Sequence, residues 1–321
     1  MKERGIALIA SSGILYGLVT VGGSLLSKIG FSVFDISFFF LFFSVPFLAP
    51  FAIKKDPKIF SKMKTNWKYL FTYSMVNLFI LFTQFGSLSL GLPPPTAALL
   101  LYTQPIWTII FGRAFFKETI TALRVGIIAL ALVGVFLVTN PLSLFSQTVH
   151  SSNSNTSVAE ILALVGGVFL SLWIILGKKG RVEQLKEPVS LTFAVRTFSV
   201  IPIGIVSFGA YFFRAGLFLG PKVYSSDIVY LVLFAIFAGA LPDYLFYRGV
   251  EKVLAIQAGV ILLLEPVSSA VISVALGITI LSWLQIVGGA LILFSNYLVI
   301  RESSQTKEKK NEQQLKSSGD S

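Results

Sequence analysis

The chain has 321 residues, of which 55% are hydrophobic and 13% charged; its net charge is +11, with one histidine and no cysteine. A soluble domain carries about 25% charged residues, so this composition belongs in a lipid bilayer. The lack of cysteine excludes disulfides and thiolate chemistry, and a lone histidine, His150, excludes a histidine metal cluster, so no cofactor or metal is expected. The positive charge does not point to nucleic acid, because Lys and Arg lie between apolar runs, where membrane topology puts them.

Residues 1–5 lead straight into an apolar run with no small-residue cleavage site, which predicts a retained first helix. Ten spans follow at 6–27, 34–53, 69–89, 96–115, 119–138, 158–177, 189–213, 227–246, 256–275 and 280–300. Each is close to the roughly twenty residues that cross ~30 Å of hydrocarbon at 1.5 Å per residue. The apolar character runs all round each helix, so the predicted class is an all-α integral membrane protein. The longest connection, 139–157, is Ser/Asn-rich and reads as an extracytoplasmic linker. Within it Asn155-Thr156-Ser157 fits a glycosylation acceptor, although chance accounts for that match in such a composition. Residues 301–321 are charged and poor in apolar side chains, and are expected to be disordered.

With the N-terminus cytoplasmic, 22 Lys and Arg fall inside and 3 outside (Lys28, Arg214, Lys222), while Arg196 lies within a span. That split supports the span count, because a missed helix would invert every later loop. A weak internal repeat accompanies it. At an offset of 161 residues, 85–105 lies over 246–266: Phe85, Ala97, Leu101 and Pro105 meet identical residues, and Gln104 meets Glu265. Five spans per half is an odd number, so the second half must be inserted upside down, as in many secondary transporters.

The stretch 256–275 carries one carboxylate, Glu265, at mid-membrane depth, directly before Pro266. Proline removes a helical N–H and frees the carbonyl of Leu262. A charge beside a weakened backbone in mid-bilayer points to a binding site or pathway rather than to packing. Glu265 is therefore the leading candidate to bind a solute or carry a proton. Gln104 before Pro105 is its neutral counterpart, able to hydrogen-bond a solute or to hold a neighbouring helix. Arg196 and Asp243 lie at similar depth near the cytoplasmic side and read as an ion pair or gate. Tyr16, Tyr102, Trp107 and Trp173 are mid-span aromatics that could enclose a solute, although packing is the commoner role. Tyr244 and Tyr247 read as interface anchors, and Glu118 as a carboxylate favouring the start of the helix at 119–138.

The run PPPTAALLLYTQPIWTIIFGRAFFKETITALRVGIIALALVGVFLV and its counterpart AIQAGVILLLEPVSSAVISVALGITILSWLQIVGGALILFSNYLV resemble the EamA-type members of the drug/metabolite transporter superfamily. The resemblance covers 6–300. It implies ten helices in an inverted five-plus-five repeat (1–138 and 158–300), both termini cytoplasmic, and movement of small organic solutes, often as export. Some family positions differ. The Glu after the fourth helix is present as Glu118, but its partner is Thr279. The Arg near the start of the second helix falls at Phe40, its counterpart being Arg196, and the aromatic-Gly pair of the first helix reads Tyr16-Gly17.

The combined expectation is a secondary transporter of metabolites, amino-acid-like solutes or drugs in the plasma membrane, working by alternating access, with protons or the solute's own gradient as driving force. A nucleotide-sugar carrier and a non-transporting scaffold are the alternatives, and a monomer and a homodimer are both open. An enzyme is not expected, since no catalytic constellation or nucleotide-binding motif occurs within the spans.

Overall fold

The computed structural model describes residues 2–29, 31–90, 94–139, 154–212, 225–278 and 280–319, and among them all regular structure is helical. The first half holds α1 (Lys2–Ile29), α2 (Val33–Phe42), α3 (Ser44–Lys55), α4 (Ile59–Thr65), α5 (Trp67–Ser89), α6 (Pro94–Leu101), α7 (Gln104–Phe116) and α8 (Ala122–Thr139). The second holds α9 (Ser154–Lys179), α10 (Pro188–Phe212), α11 (Ser225–Phe234), α12 (Leu241–Val250), α13 (Ala255–Ile261), α14 (Leu264–Ala275) and α15 (Trp283–Gly319). Two π-helical segments, Gly180–Gln184 and Ala235–Ala240, extend α9 and join α11 to α12.

Eight stretches among the described residues are long and apolar enough to cross a membrane. The expected spans 69–89 and 96–115 fall on α5 and on the pair α6 and α7. The surface agrees with a lipid environment. On α10, Ile201, Ile205, Phe208 and Phe212 form an exposed stripe at helical spacing, whereas Arg196, Ser199, Ile203 and Ser207 face inward. An apolar face of that extent would be unstable against water but costs nothing against acyl chains. The protein is a multi-pass integral membrane protein.

The two halves interleave. The first helix of one half packs on the third and fourth helices of the other: α1 on α12 and α14, α9 on α5, α6 and α7. The second helices meet across the middle, α10 against α2 and α3, as do the fifth, α8 against α15. These pairings survive exchange of the halves, as a pseudo-twofold requires.

The two proline-bearing spans are each broken at matching places. The span expected at 96–115 divides between Leu101 and Gln104, and that at 256–275 between Ile261 and Leu264. Pro105 and Pro266 each delete a helical N–H, so the turn ahead tightens. Thr103 N bonds Leu100 O at 3.3 Å, Leu263 N bonds Val260 O at 3.1 Å, and the freed carbonyl of Leu262 accepts from Glu265 N at 3.0 Å. A glycine sits on each break. A Cβ at Gly167 would come within 3.2 Å of Leu100 O, and one at Gly13 within 3.3 Å of Ile261 O. Leu100 and Ile261 are equivalent at the 161-residue offset, so the same close approach occurs twice.

Three expectations change. The tail read as disordered continues α15 as helix to Gly319, because Glu, Lys and Gln are good helix formers and the preceding span supplies the nucleus. The linker ends earlier than expected, with α9 starting at Ser154. Residues 140–153, which hold His150, lie outside the described residues, as do Arg214, Lys222, Thr279 and the side chains of Lys28 and Asn155. The helix expected from 119 begins at Ala122, because Lys117 caps α7 in the left-handed conformation (φ 54°) and turns the chain away.

Candidate functional site

A cavity of about 170 Å³ lies among α1, α2, α5, the breaks before Gln104 and Glu265, α9, α10 and α12. Seven of the residues singled out in the sequence line it: Tyr16, Tyr102, Gln104, Trp173, Arg196, Asp243 and Glu265. Trp107 does not. It lies one and a half turns below Tyr102 on α7, half-buried, with an indole N–H that finds no partner among the described residues. Pro105 and Pro266 are buried behind the two amide and carboxylate side chains they aim.

Glu265 stands at the start of α14, where the tightened turn carries its side chain into the cavity. The Tyr102 hydroxyl, from the equivalent break in the other half, faces the same space beside its carboxylate. None of the ion pairs among the described residues involves Glu265. Gln104 is only 1% exposed and fully engaged. Its Nε2 donates to Gly259 O at 2.6 Å, and its Oε1 accepts from Thr108 Oγ1 at 2.8 Å, which in turn lies 2.9 Å from Ser171 Oγ. Gln104 thus ties α7 to α13 and α9 while lining the cavity with part of its surface.

Arg196 and Asp243 form a buried pair, Nε donating to Oδ2 at 2.9 Å. Tyr16 donates to Asp243 Oδ1 at 2.5 Å, and Arg196 Nη1 reaches Phe40 O at 3.3 Å and Ser44 Oγ at 3.4 Å. The Phe40 ring lies 4.6 Å from the guanidinium carbon, so the phenyl that stands where the family has arginine stacks on the arginine that is kept. The sequence explains how Asp243 gets there. Pro242 cannot donate to the helix, the π-helical turn Ala235–Ala240 absorbs the mismatch, and Ser12 Oγ anchors Pro242 O at 2.7 Å.

Below the cavity, toward the end of the bundle that holds the N-terminus, aromatic rings close the space. Trp173 contacts Tyr16, Phe246 and Tyr247, and the Tyr247 hydroxyl donates to Tyr73, which donates to Trp173 O at 2.9 Å. Tyr247 is therefore an interior residue and not the interface anchor its position near a span end implies. Tyr244 is half-buried beside Arg248.

Beneath the rings lie a buried ion pair, Lys178 with Glu118 at 2.6 Å, and a second in which buried Arg181 meets the exposed Glu251 at 2.6 Å. Glu118 also accepts from Ala255 N at 2.7 Å and Ile256 N at 3.2 Å. It caps α13 of the opposite half and not the start of α8, because the left-handed turn at Lys117 points it across the interface. Arg124 and Glu302 pair at 2.7 Å and join the two fifth helices.

One polar cavity residue was missed in the sequence. Asn77, which donates to Ser199 Oγ at 2.9 Å, is a polar side chain inside an apolar span, and that was signal enough. Phe40 was marked in the sequence only through the resemblance, as the position opposite Arg196, since one phenylalanine among many apolar neighbours does not announce its face.

A lipid-embedded helical bundle with a central cavity and a mid-span carboxylate is the architecture of a membrane transporter. The model of the EamA-like transporter family matches residues 3–140 and 157–301, and the chain belongs to that family. A protein of Clostridium kluyveri described as an uncharacterized transporter is 23% identical over 280 residues, covering 85% of each chain. A crystal structure titled only as that of a protein superposes with a TM-score of 0.75 at 16% identity, covering 93% of this chain and 98% of that one, a likeness of fold. The family makes this protein a membrane transporter, which implies a small-molecule solute.

Proposed function

We propose that the protein is a secondary carrier that moves small organic solutes by alternating access through the central cavity, with Glu265 as its principal binding group. The observation that carries this reading is a carboxylate with no cationic partner among the described residues, facing a cavity at the meeting point of two equivalent broken helices. Tyr16, Tyr102, Gln104 and Trp173 complete the solute's surroundings. The Arg196–Asp243 pair with Tyr16 acts as a gate on the cytoplasmic side of the cavity, backed by the aromatic layer and the Glu118–Lys178 pair.

In this reading 1–138 and 158–300 are oppositely inserted halves, both termini are cytoplasmic, and the membrane is the plasma membrane. Export is the direction and protons are the coupling ion, with Glu265 alternately holding a proton or a solute.

The test is counterflow in proteoliposomes with a panel of amino acids, nucleobases and organic cations, with and without a pH gradient. Accumulation of labelled solute that Glu265→Gln abolishes is the expected result. No exchange of any solute by folded wild-type protein would return the balance to a scaffold.

A further inference from the structure

We propose that the cavity selects a small organic monocation: an ammonium centre held by Glu265 and carried on an apolar or aromatic body. The inference rests on the carrier reading of this cavity and specifies its solute. Apart from the tyrosines, three ionisable side chains face the space: Arg196, Asp243 and Glu265. Arg196 is engaged by Asp243, by Phe40 O and Ser44 Oγ, and by the Phe40 ring, and is 3% exposed. Its charge is cancelled where it stands. Glu265, ionised, leaves the cavity one negative charge in excess, with the Tyr102 hydroxyl beside it and no ion-pair partner among the described residues.

The rest of the lining fits a cation of low hydration. Tyr16, Tyr102 and Trp173 present aromatic surface, which attracts an ammonium through the ring quadrupole, and Val19, Ile80 and Leu101 supply apolar walls. An anion finds no uncommitted positive charge. A zwitterion would set its own carboxylate among Asp243 and Glu265. An inorganic cation wants a shell of several oxygens, and no group of three or more candidate metal ligands occurs among the described residues. Size narrows the class further. At about 10–15 Å³ per water-sized group, a 170 Å³ cavity takes a solute of roughly eleven to seventeen non-hydrogen atoms.

The experiment is calorimetric titration of the detergent-solubilised full-length protein with benzyltrimethylammonium, phenylalanine and benzoate. Because the first probe is a permanent cation, its charge is independent of buffer. Benzyltrimethylammonium should bind about tenfold or more tighter than either of the others, and Glu265→Gln should lose that preference while Glu265→Asp retains part of it. Equal or tighter binding of phenylalanine or benzoate to wild-type protein overturns the assignment without recourse to any variant. So does unchanged cation affinity in monodisperse Glu265→Gln protein. Counterflow separates the two proposals. Exchange of other solutes without cation binding defeats the cation site and leaves the carrier, whereas cation binding without exchange of any solute does the reverse.

Discussion

The two halves of this protein share a backbone plan and divide the chemistry unequally. At the cavity the first half contributes Tyr16, Phe40, Asn77, Tyr102 and Gln104, all neutral, while the second contributes Arg196, Asp243 and Glu265. The equivalent breaks before Gln104 and Glu265 show the contrast at one position. The amide is locked to Gly259 and Thr108, whereas the carboxylate has no ion-pair partner among the described residues. Doubling a helical unit therefore fixes where a site forms, and divergence of one copy decides what it binds. In the proposed reading the neutral half serves as scaffold and aromatic wall, and the charged half as recognition and gate.

The largest effect should come from erasing that difference. Glu265→Gln makes both breaks neutral and should abolish solute exchange while leaving the purified protein monodisperse, as read by counterflow and size-exclusion chromatography. Second in size is the buried pair. Asp243→Asn leaves Arg196 charged without its partner, and breaking such a pair costs about 3–5 kcal/mol, measurable as a large fall in thermal stability. Exchanging the two residues, Arg196→Asp with Asp243→Arg, should recover part of the loss. Glu118→Gln strips Lys178 of its counter-charge and weakens the cap on α13, which should loosen the cytoplasmic closure and raise the reactivity of a cysteine introduced at Ile256. Gln104→Leu should cost about 1–3 kcal/mol of stability by orphaning Gly259 O and Thr108, with transport reduced but present. Smallest is Tyr102→Phe, which removes the hydroxyl beside Glu265 and should change the apparent solute affinity by about threefold to tenfold.

Much of this was legible before any coordinates, and the reason differs by feature. Length and apolarity mark spans because lipid thickness sets a hard scale, and intramembrane charge stands out because it is costly; Glu265, Arg196 and Asp243 were readable on that ground. Prolines showed where helices weaken. What stayed hidden was direction. Helices apolar all round give no period to show which face turns inward, so Trp107 read like Trp173 although only Trp173 reaches the cavity. Tyr247 read as an interface residue because depth was judged from the span's end, while its hydroxyl is in fact spent on Tyr73. The target of Glu118 depended on one left-handed residue, Lys117, and on a helix 137 residues away.

The central claim is that one cavity faces each side of the membrane in turn. The chain contains no cysteine, so a single introduced thiol reports without background. Val19→Cys places that thiol in the cavity lining. In sealed vesicles of known orientation, a membrane-impermeant maleimide should label it from either side, and benzyltrimethylammonium should protect it from both. Labelling confined to one side under all conditions, or none from either, would contradict the account.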